Sequence, residues 1–148
     1  QIIDYSHGRE HTFFNGDQGL DQHIDFSHPY DGALSQLLAA SAKKAKSEFR
    51  LGGVYGCTQG PRLETVAEIR RMQQDGCDIV GMTGMPEAAL AREAGLRYAS
   101  LALVVNRAAG LGPNDAINVD DIRPVLEQGM ETVRLVLGYT LAELLPRD

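Results

Sequence analysis

Apolar residues change their spacing several times along this chain, and each change marks an element. Residues 1–5, Gln-Ile-Ile-Asp-Tyr, open as a strand already under way. From 6 to 31 the chain turns polar around Gly8, Gly16, Gly19 and Pro29. Such a long irregular stretch is usually functional or disordered. Leu34, Leu37, Leu38, Ala42 and Ala45 then recur at three-and-four spacing, with Lys43 and Lys46 opposite, and predict a helix over 32–49. A short apolar strand is predicted over 54–58. Gln59-Gly60-Pro61 turns the chain, and Pro61 suits a first helical turn. Val66, Ile69 and Met72 face inward from an amphipathic helix over 64–74, ended by Asp75-Gly76.

The continuous apolar run 77–82 predicts a strand buried on both faces. A short helix over 86–94 is closed by Gly95, and 98–105 is again apolar throughout, a further strand. A Gly-rich loop follows over 107–118. Asp120 or Asp121 caps a last helix running to 145, with Ile122, Val125, Met130, Val133, Leu137, Leu141 and Leu144 as its inner stripe. Strands alternating with helices predict an α/β fold, a mixed, largely parallel sheet flanked by helices. In such sheets ligands bind beyond the carboxyl ends of strands, here 56–60, 82–84 and 106–110.

Composition narrows the possibilities. The 148 residues are 43% hydrophobic and 23% charged, which fits one soluble domain spanning 1–148. A net charge of −6 argues against a nucleic-acid partner. No run approaches a membrane span, and no basic segment followed by an apolar one suggests a secretory signal. Cys57 and Cys77 make neither a disulfide framework nor a metal-binding pair, and point to a reducing cytoplasm. The opening without Met leads us to expect the C-terminal part of a longer protein, or a fragment of a cleaved one.

The three strand ends read Thr58-Gln59-Gly60-Pro61-Arg62-Leu63-Glu64-Thr65, Val80-Gly81-Met82-Thr83-Gly84-Met85-Pro86-Glu87 and Leu103-Val104-Val105-Asn106-Arg107. In this order and spacing they resemble the trimeric purine nucleoside phosphorylase and methylthioadenosine phosphorylase family, and within it the branch acting on S-methyl-5′-thioinosine. The resemblance runs over essentially the whole chain. Family members are much longer, and their N-terminal part carries a Gly-rich phosphate loop and an Arg-His pair on phosphate.

The resemblance implies a role for several residues. Asn106 binds the base: its amide can donate to a purine O6 and accept from a protonated N7, and so help the base leave. Without the family context it reads as a polar strand-end cap. Ala108 lacks the second carboxylate of adenine-preferring relatives. Glu64 can accept N1–H of a 6-oxopurine and disfavours adenine; its plain alternative is a solvated residue in a first helical turn. Leu63 covers the base or is ordinary core. Met82 lies under the ribose or simply packs, and Thr83 binds phosphate. Val119 stands where relatives that accept a 5′-hydroxyl carry a His, so an apolar methylthio pocket is implied; it also suits a hydrophobic staple. His23 reaches a neighbouring subunit's site near the 5′ substituent. Val105 replaces a frequent Thr that orients the next amide, so Asn106 needs another support.

The expected function is phosphorolysis of S-methyl-5′-thioinosine to hypoxanthine and 5-methylthioribose 1-phosphate, in purine salvage. The enzyme is then a cytoplasmic homotrimeric pentosyltransferase with orthophosphate as co-substrate and no cofactor. The 107–118 loop is a candidate lid. One alternative is a general phosphorylase of inosine and guanosine, against which Val119 argues. Another is a non-catalytic metal- or nucleotide-binding module built on the histidines. His7 and His11, four apart with Glu10 between, suggest a metal pair, but Gly8 weakens the helix it needs and no third ligand is evident. His28 has no clear role.

Overall fold

The computed structural model describes residues 1–14, 16, 23–112 and 117–145, with the side chain of Val119 outside that set. Three short strands, β1 (Ile2–Asp4), β2 (Tyr55–Cys57) and β3 (Ile79–Gly81), form one parallel sheet in the order β1-β2-β3. The register aligns Ile2 with Tyr55 and Tyr55 with Ile79. Parallel strands need long crossovers. Helix α1 (Gly32–Lys44) lies between β1 and β2, α2 (Val66–Gln74) between β2 and β3, and α3 (Glu87–Glu93) and α4 (Val119–Leu144) follow β3.

Side chains alternate across the sheet, and its two faces make two cores. On one, Ile2, Tyr55 and Cys57 meet Met85, Ala88 and Ala89 at the start of α3. On the other, Val80 meets Ile69 and Met72 of α2 together with Ala109. The residues of β3 are half-buried, less enclosed than their apolar run predicts. No helix among the described residues is long and apolar enough to cross a membrane.

Three helices end in the same hydrogen-bonded motif. After α2, Cys77 N–H donates to Met72 O at 2.9 Å and Gly76 N–H to Gln73 O at 3.1 Å, with Gly76 at φ +88°. After α3, Leu96 and Gly95 donate to Ala91 and Arg92 in the same pattern. After α1, Ser47 and Lys46 donate to Ala42 and Lys43, so the left-handed position is taken by Lys46 at φ 55°. Glycine marked the first two ends in the sequence. A lysine in the same place left no mark, and the predicted helix overran to 49.

The helix starts also differ from expectation. α2 begins at Val66, not at 64, because Thr65 caps it: Thr65 Oγ1 accepts Glu68 N–H at 3.2 Å, and Glu68 Oε2 accepts Thr65 N–H at 2.7 Å. Neither Pro61 nor Glu64 is helical. The cap of α4 is Asn118, whose Oδ1 accepts Asp120 N–H at 3.1 Å, while Asp120 and Asp121 sit in the first turn.

Two larger corrections concern burial and pairing. Segment 98–105 is not a strand among the described residues. Its one backbone bond of this kind is Tyr98 O accepting Asp31 N–H at 2.7 Å. An apolar run becomes a strand only with a ladder partner, and here Leu103 instead covers Gly129 of α4. On α4 the buried residues are Val136 and Thr140, whereas Val125, Met130, Leu137, Leu141 and Leu144 are exposed. α4 packs along α1, whose buried residues are Ala39, Ser41 and Ala42. Small and β-branched residues let the two helices approach; bulkier leucines of the predicted stripe point elsewhere.

A left-handed conformation costs a residue with a Cβ about 1–2 kcal/mol, part of which glycine's greater unfolded-state freedom offsets. Lys46→Gly is therefore expected to stabilise the fold by about 0.5–1 kcal/mol, measured by urea unfolding. A loss of stability contradicts this account of the α1 terminus.

Candidate functional site

Beyond the carboxyl ends of β1 and β2 lies a cleft of about 560 Å³. It is lined by Tyr5 and His7 after β1, by Thr58, Gln59 and Gly60 after β2, by Arg62 and Glu64 before α2, and by Glu68, Arg71 and Met72 of α2. Thr58 is buried, and its hydroxyl donates to Glu64 Oε1 at 2.6 Å. Glu64 itself is half-buried, so one oxygen is held from beneath and the carboxylate is presented to the cleft.

The rim is set by α2. Arg62 forks onto Glu68, Nη1 to Oε2 at 2.9 Å and Nη2 to Oε1 at 2.8 Å. That fork, with the Thr65 backbone and hydroxyl bonds, holds the Glu68 carboxyl down from 4.5 to about 2. Tyr5 donates its hydroxyl to Asp75 Oδ2 at 2.7 Å, and burial together with that bond pushes its pKa up.

The loop after β3 stands on Tyr55. Thr83 N–H donates to the Tyr55 hydroxyl at 3.2 Å. A Cβ at Gly84 would come within 2.4 Å of the Tyr55 ring, and one at Gly81 within 2.2 Å of its hydroxyl. Only glycine lets the loop lie this close. Met82 is half-buried, its sulfur pressed against Gly60, where a Cβ would lie 2.4 Å away. Glu64 and Met82 are thus both joined to the 58–60 turn. Thr83 itself is exposed.

The other predicted residues lie as follows. Leu63 is exposed, beside Arg62, which donates to its carbonyl at 3.2 Å. Asn106 is exposed and outside the cleft lining; its Nδ2 donates to Arg107 O at 2.8 Å, a support that does not need a Thr at 105. His23 is exposed. Val119 is the first residue of α4, and its side chain lies outside the described residues. His11 Nδ1 lies 3.5 Å from Asp4 Oδ2, and no group of three potential metal ligands occurs among the described residues. In the 107–118 loop, Ala109 is buried against α2 and Gly110 lies on Val66. Residues 113–116 lie outside the described set.

Sequence reasoning passed over Thr58, Gln59 and Arg9. Arg9 is half-buried and donates to four main-chain carbonyls and to Gln59 Oε1. A charged residue inside a polar, Gly-containing stretch carries no signal that it folds back on strands some 50 residues away.

Comparison with known proteins places these features in a family. The model of the Phosphorylase superfamily matches residues 1–140. A protein of Pseudomonas syringae pv. tomato named probable S-methyl-5′-thioinosine phosphorylase is 55% identical over 141 residues, 95% of this chain and 57% of the relative. A Dictyoglomus turgidum protein named probable 6-oxopurine nucleoside phosphorylase is 42% identical over 144 residues, 97% of this chain and 54% of the relative. The crystal structure of methylthioadenosine phosphorylase from Schistosoma mansoni with adenine superposes with a TM-score of 0.88 at 28% identity, covering 100% of this chain and 58% of that one. The chain spans about half the length of the curated relatives it matches.

Because Glu68 is ionised when bound to Arg62, its contribution is complete above its ordinary pKa of 4.5 and is lost as pH falls toward about 2. Glu68→Gln is expected to lower the melting temperature at neutral pH. The deficit against the parent protein is expected to shrink through the acid range between those two values. A deficit constant with pH would mean that the ion pair does not secure the α2 entry.

Proposed function

The chain belongs to the phosphorylase superfamily, and on that footing we propose that it acts in the phosphorolysis of S-methyl-5′-thioinosine. A phosphate oxygen bonds to C1′ of the ribose as the C1′–N9 bond breaks, the bond's electron pair leaves with the purine, and a proton taken from solvent at N7 completes hypoxanthine beside 5-methylthioribose 1-phosphate. The observation that carries this reading is the Glu64 carboxylate, held by Thr58 at 2.6 Å at the carboxyl end of the sheet. Held so, it accepts N1–H of a 6-oxopurine and repels the bare N1 lone pair of adenine. Asn106, though outside the cleft lining, is the second base contact we propose: its Oδ1 is to accept from N7–H, and the amide proton not given to Arg107 O is left to donate to O6. That stabilises negative charge on the departing purine. Leu63 covers the base, Met82 underlies the ribose and Thr83 holds phosphate. The base preference agrees with the names of the relatives at 55% and 42% identity.

Orthophosphate is the co-substrate, and the reaction needs neither metal nor organic cofactor. A homotrimer is the proposed assembly, with His23 reaching the neighbour's 5′ pocket. Exposed Phe13 and Phe14, and Ile24 next to that histidine in the chain, suit burial between subunits. Light scattering on the active protein is expected to give a trimer, and an active monomer rules this out. Free Cys57 and Cys77 suit the reducing cytoplasm.

The second reading, a general inosine and guanosine phosphorylase, is favoured by the Dictyoglomus relative. Val119 separates the two. A buried unpaired 5′-hydroxyl costs about 1–3 kcal/mol, and losing the burial of methyl and sulfur about 1–2 kcal/mol. Methylthioinosine is therefore expected to exceed inosine by about thirtyfold to a few thousandfold in kcat/KM, and methylthioadenosine to be slow. Asn106→Asp is expected to move preference toward the 6-amino base, and Val119→His to narrow the gap to inosine. Equal kcat/KM on methylthioinosine and methylthioadenosine overturns the base assignment; equal kcat/KM on methylthioinosine and inosine favours the second reading.

A further inference from the structure

We propose that Arg9 is a positioning residue that ties the loop after β2 to the loop after β3 and so fixes the two halves of the site relative to one another. Its Nε donates to Gln59 Oε1 at 3.1 Å. Nη2 donates to Gln59 O at 2.9 Å and Thr58 O at 3.2 Å. Nη1 donates to Met82 O at 2.9 Å and to Met85 O. All five guanidinium protons are used, and four go to main-chain carbonyls of the two loops. Among the described residues no carboxylate lies within ion-pair distance of Arg9. Its charge is met, among the described residues, by carbonyl dipoles.

Two of the acceptors are one step from a site group. Thr58 holds Glu64 through its hydroxyl. Met82 precedes Thr83 and presses its sulfur on Gly60. The Gln59 side chain is held twice, because His7 N–H also donates to its Oε1 at 3.1 Å. Removing the guanidinium leaves four carbonyls short of a donor and lets the loops move independently. A lysine cannot replace it: three protons radiating from one nitrogen do not match a planar fork reaching two loops.

The staple itself stands on geometry; its catalytic consequence rests on the phosphorolysis reading. The test uses the full-length gene product with Arg9→Met and Arg9→Lys, read by hydrogen exchange and by kinetics with methylthioinosine and phosphate. Exchange is expected to rise in peptides covering 57–61 and 81–86 and to stay unchanged in α1. Misplacement of reacting groups is expected to lower kcat by about a hundredfold and to raise KM for phosphate. Arg9→Lys is expected to behave like Arg9→Met. Millimolar guanidinium, but not ammonium, is expected to restore part of the kcat of Arg9→Met at concentrations without effect on the parent enzyme.

Unchanged exchange at both segments overturns the proposal, as does wild-type kcat in Arg9→Lys. So does exchange that rises throughout the protein with no rescue by guanidinium, which assigns Arg9 to general stability. If the parent enzyme does not cleave methylthioinosine, the phosphorolysis reading falls, and the exchange measurement alone decides the staple.

Discussion

All three strands of this sheet point the same way, so their last carbonyl groups gather at one end. The ladder itself satisfies only the first of them: Tyr5 N–H takes Cys57 O and Thr58 N–H takes Gly81 O, each at 2.8 Å. The carbonyls of Thr58, Gln59, Met82 and Met85 lie past the strand ends, and among the described residues no strand takes them. Left in a half-buried place without donors, each carries a desolvation cost of about 1–3 kcal/mol. Arg9 meets all four with one planar group. The turn that carries Glu64 and the loop that carries Thr83 leave the sheet from these same carbonyls, so their placement follows from how this end is closed.

Two further contacts stiffen the walls of the cleft. Beneath the second loop, Tyr55 occupies the space that side chains at 81 and 84 would need, and its hydroxyl takes the Thr83 amide. On the α2 side, the Thr65–Glu68 box and the Arg62 fork set where the helix begins. Glu64 and Glu68, both in the cleft lining, are held differently. Arg62 is spent on Glu68 at the surface, whereas Glu64 is left with a neutral hydroxyl as its partner. A carboxylate bound by a hydroxyl stays available to a cleft donor, which one clamped by a guanidinium does not. That division leaves Glu64 open to the cleft and commits Glu68 to the start of α2.

Much of the architecture was legible in the chain itself. Alternation of apolar runs with amphipathic segments located three strands and four helices, and glycines at 76 and 95 marked two helix ends through the left-handed conformation they adopt. The strand-end peptides at 58–65, 80–87 and 103–107 were recognisable because local order and spacing survive in one dimension. Glu64 was singled out as a candidate in this way, and the structure sets it beside Thr58 in the cleft lining.

What the tertiary structure decided were matters of partnership. Segment 98–105 has the composition of a strand, but pairing depends on what lies beside it, and Leu103 seats on Gly129 instead. α4 carries apolar residues on more than one face, and only the small surface of α1 selects Val136 and Thr140 for burial. Lys46 ends a helix as glycine would, because the hydrogen bonds of the last turn outweigh its unfavourable backbone. Arg9 reads as one more charge in a polar stretch until the chain folds back and sets it against four carbonyls. Periodicity and motifs record what a residue offers its sequence neighbours; which distant group takes up the offer is fixed only when the chain closes in three dimensions.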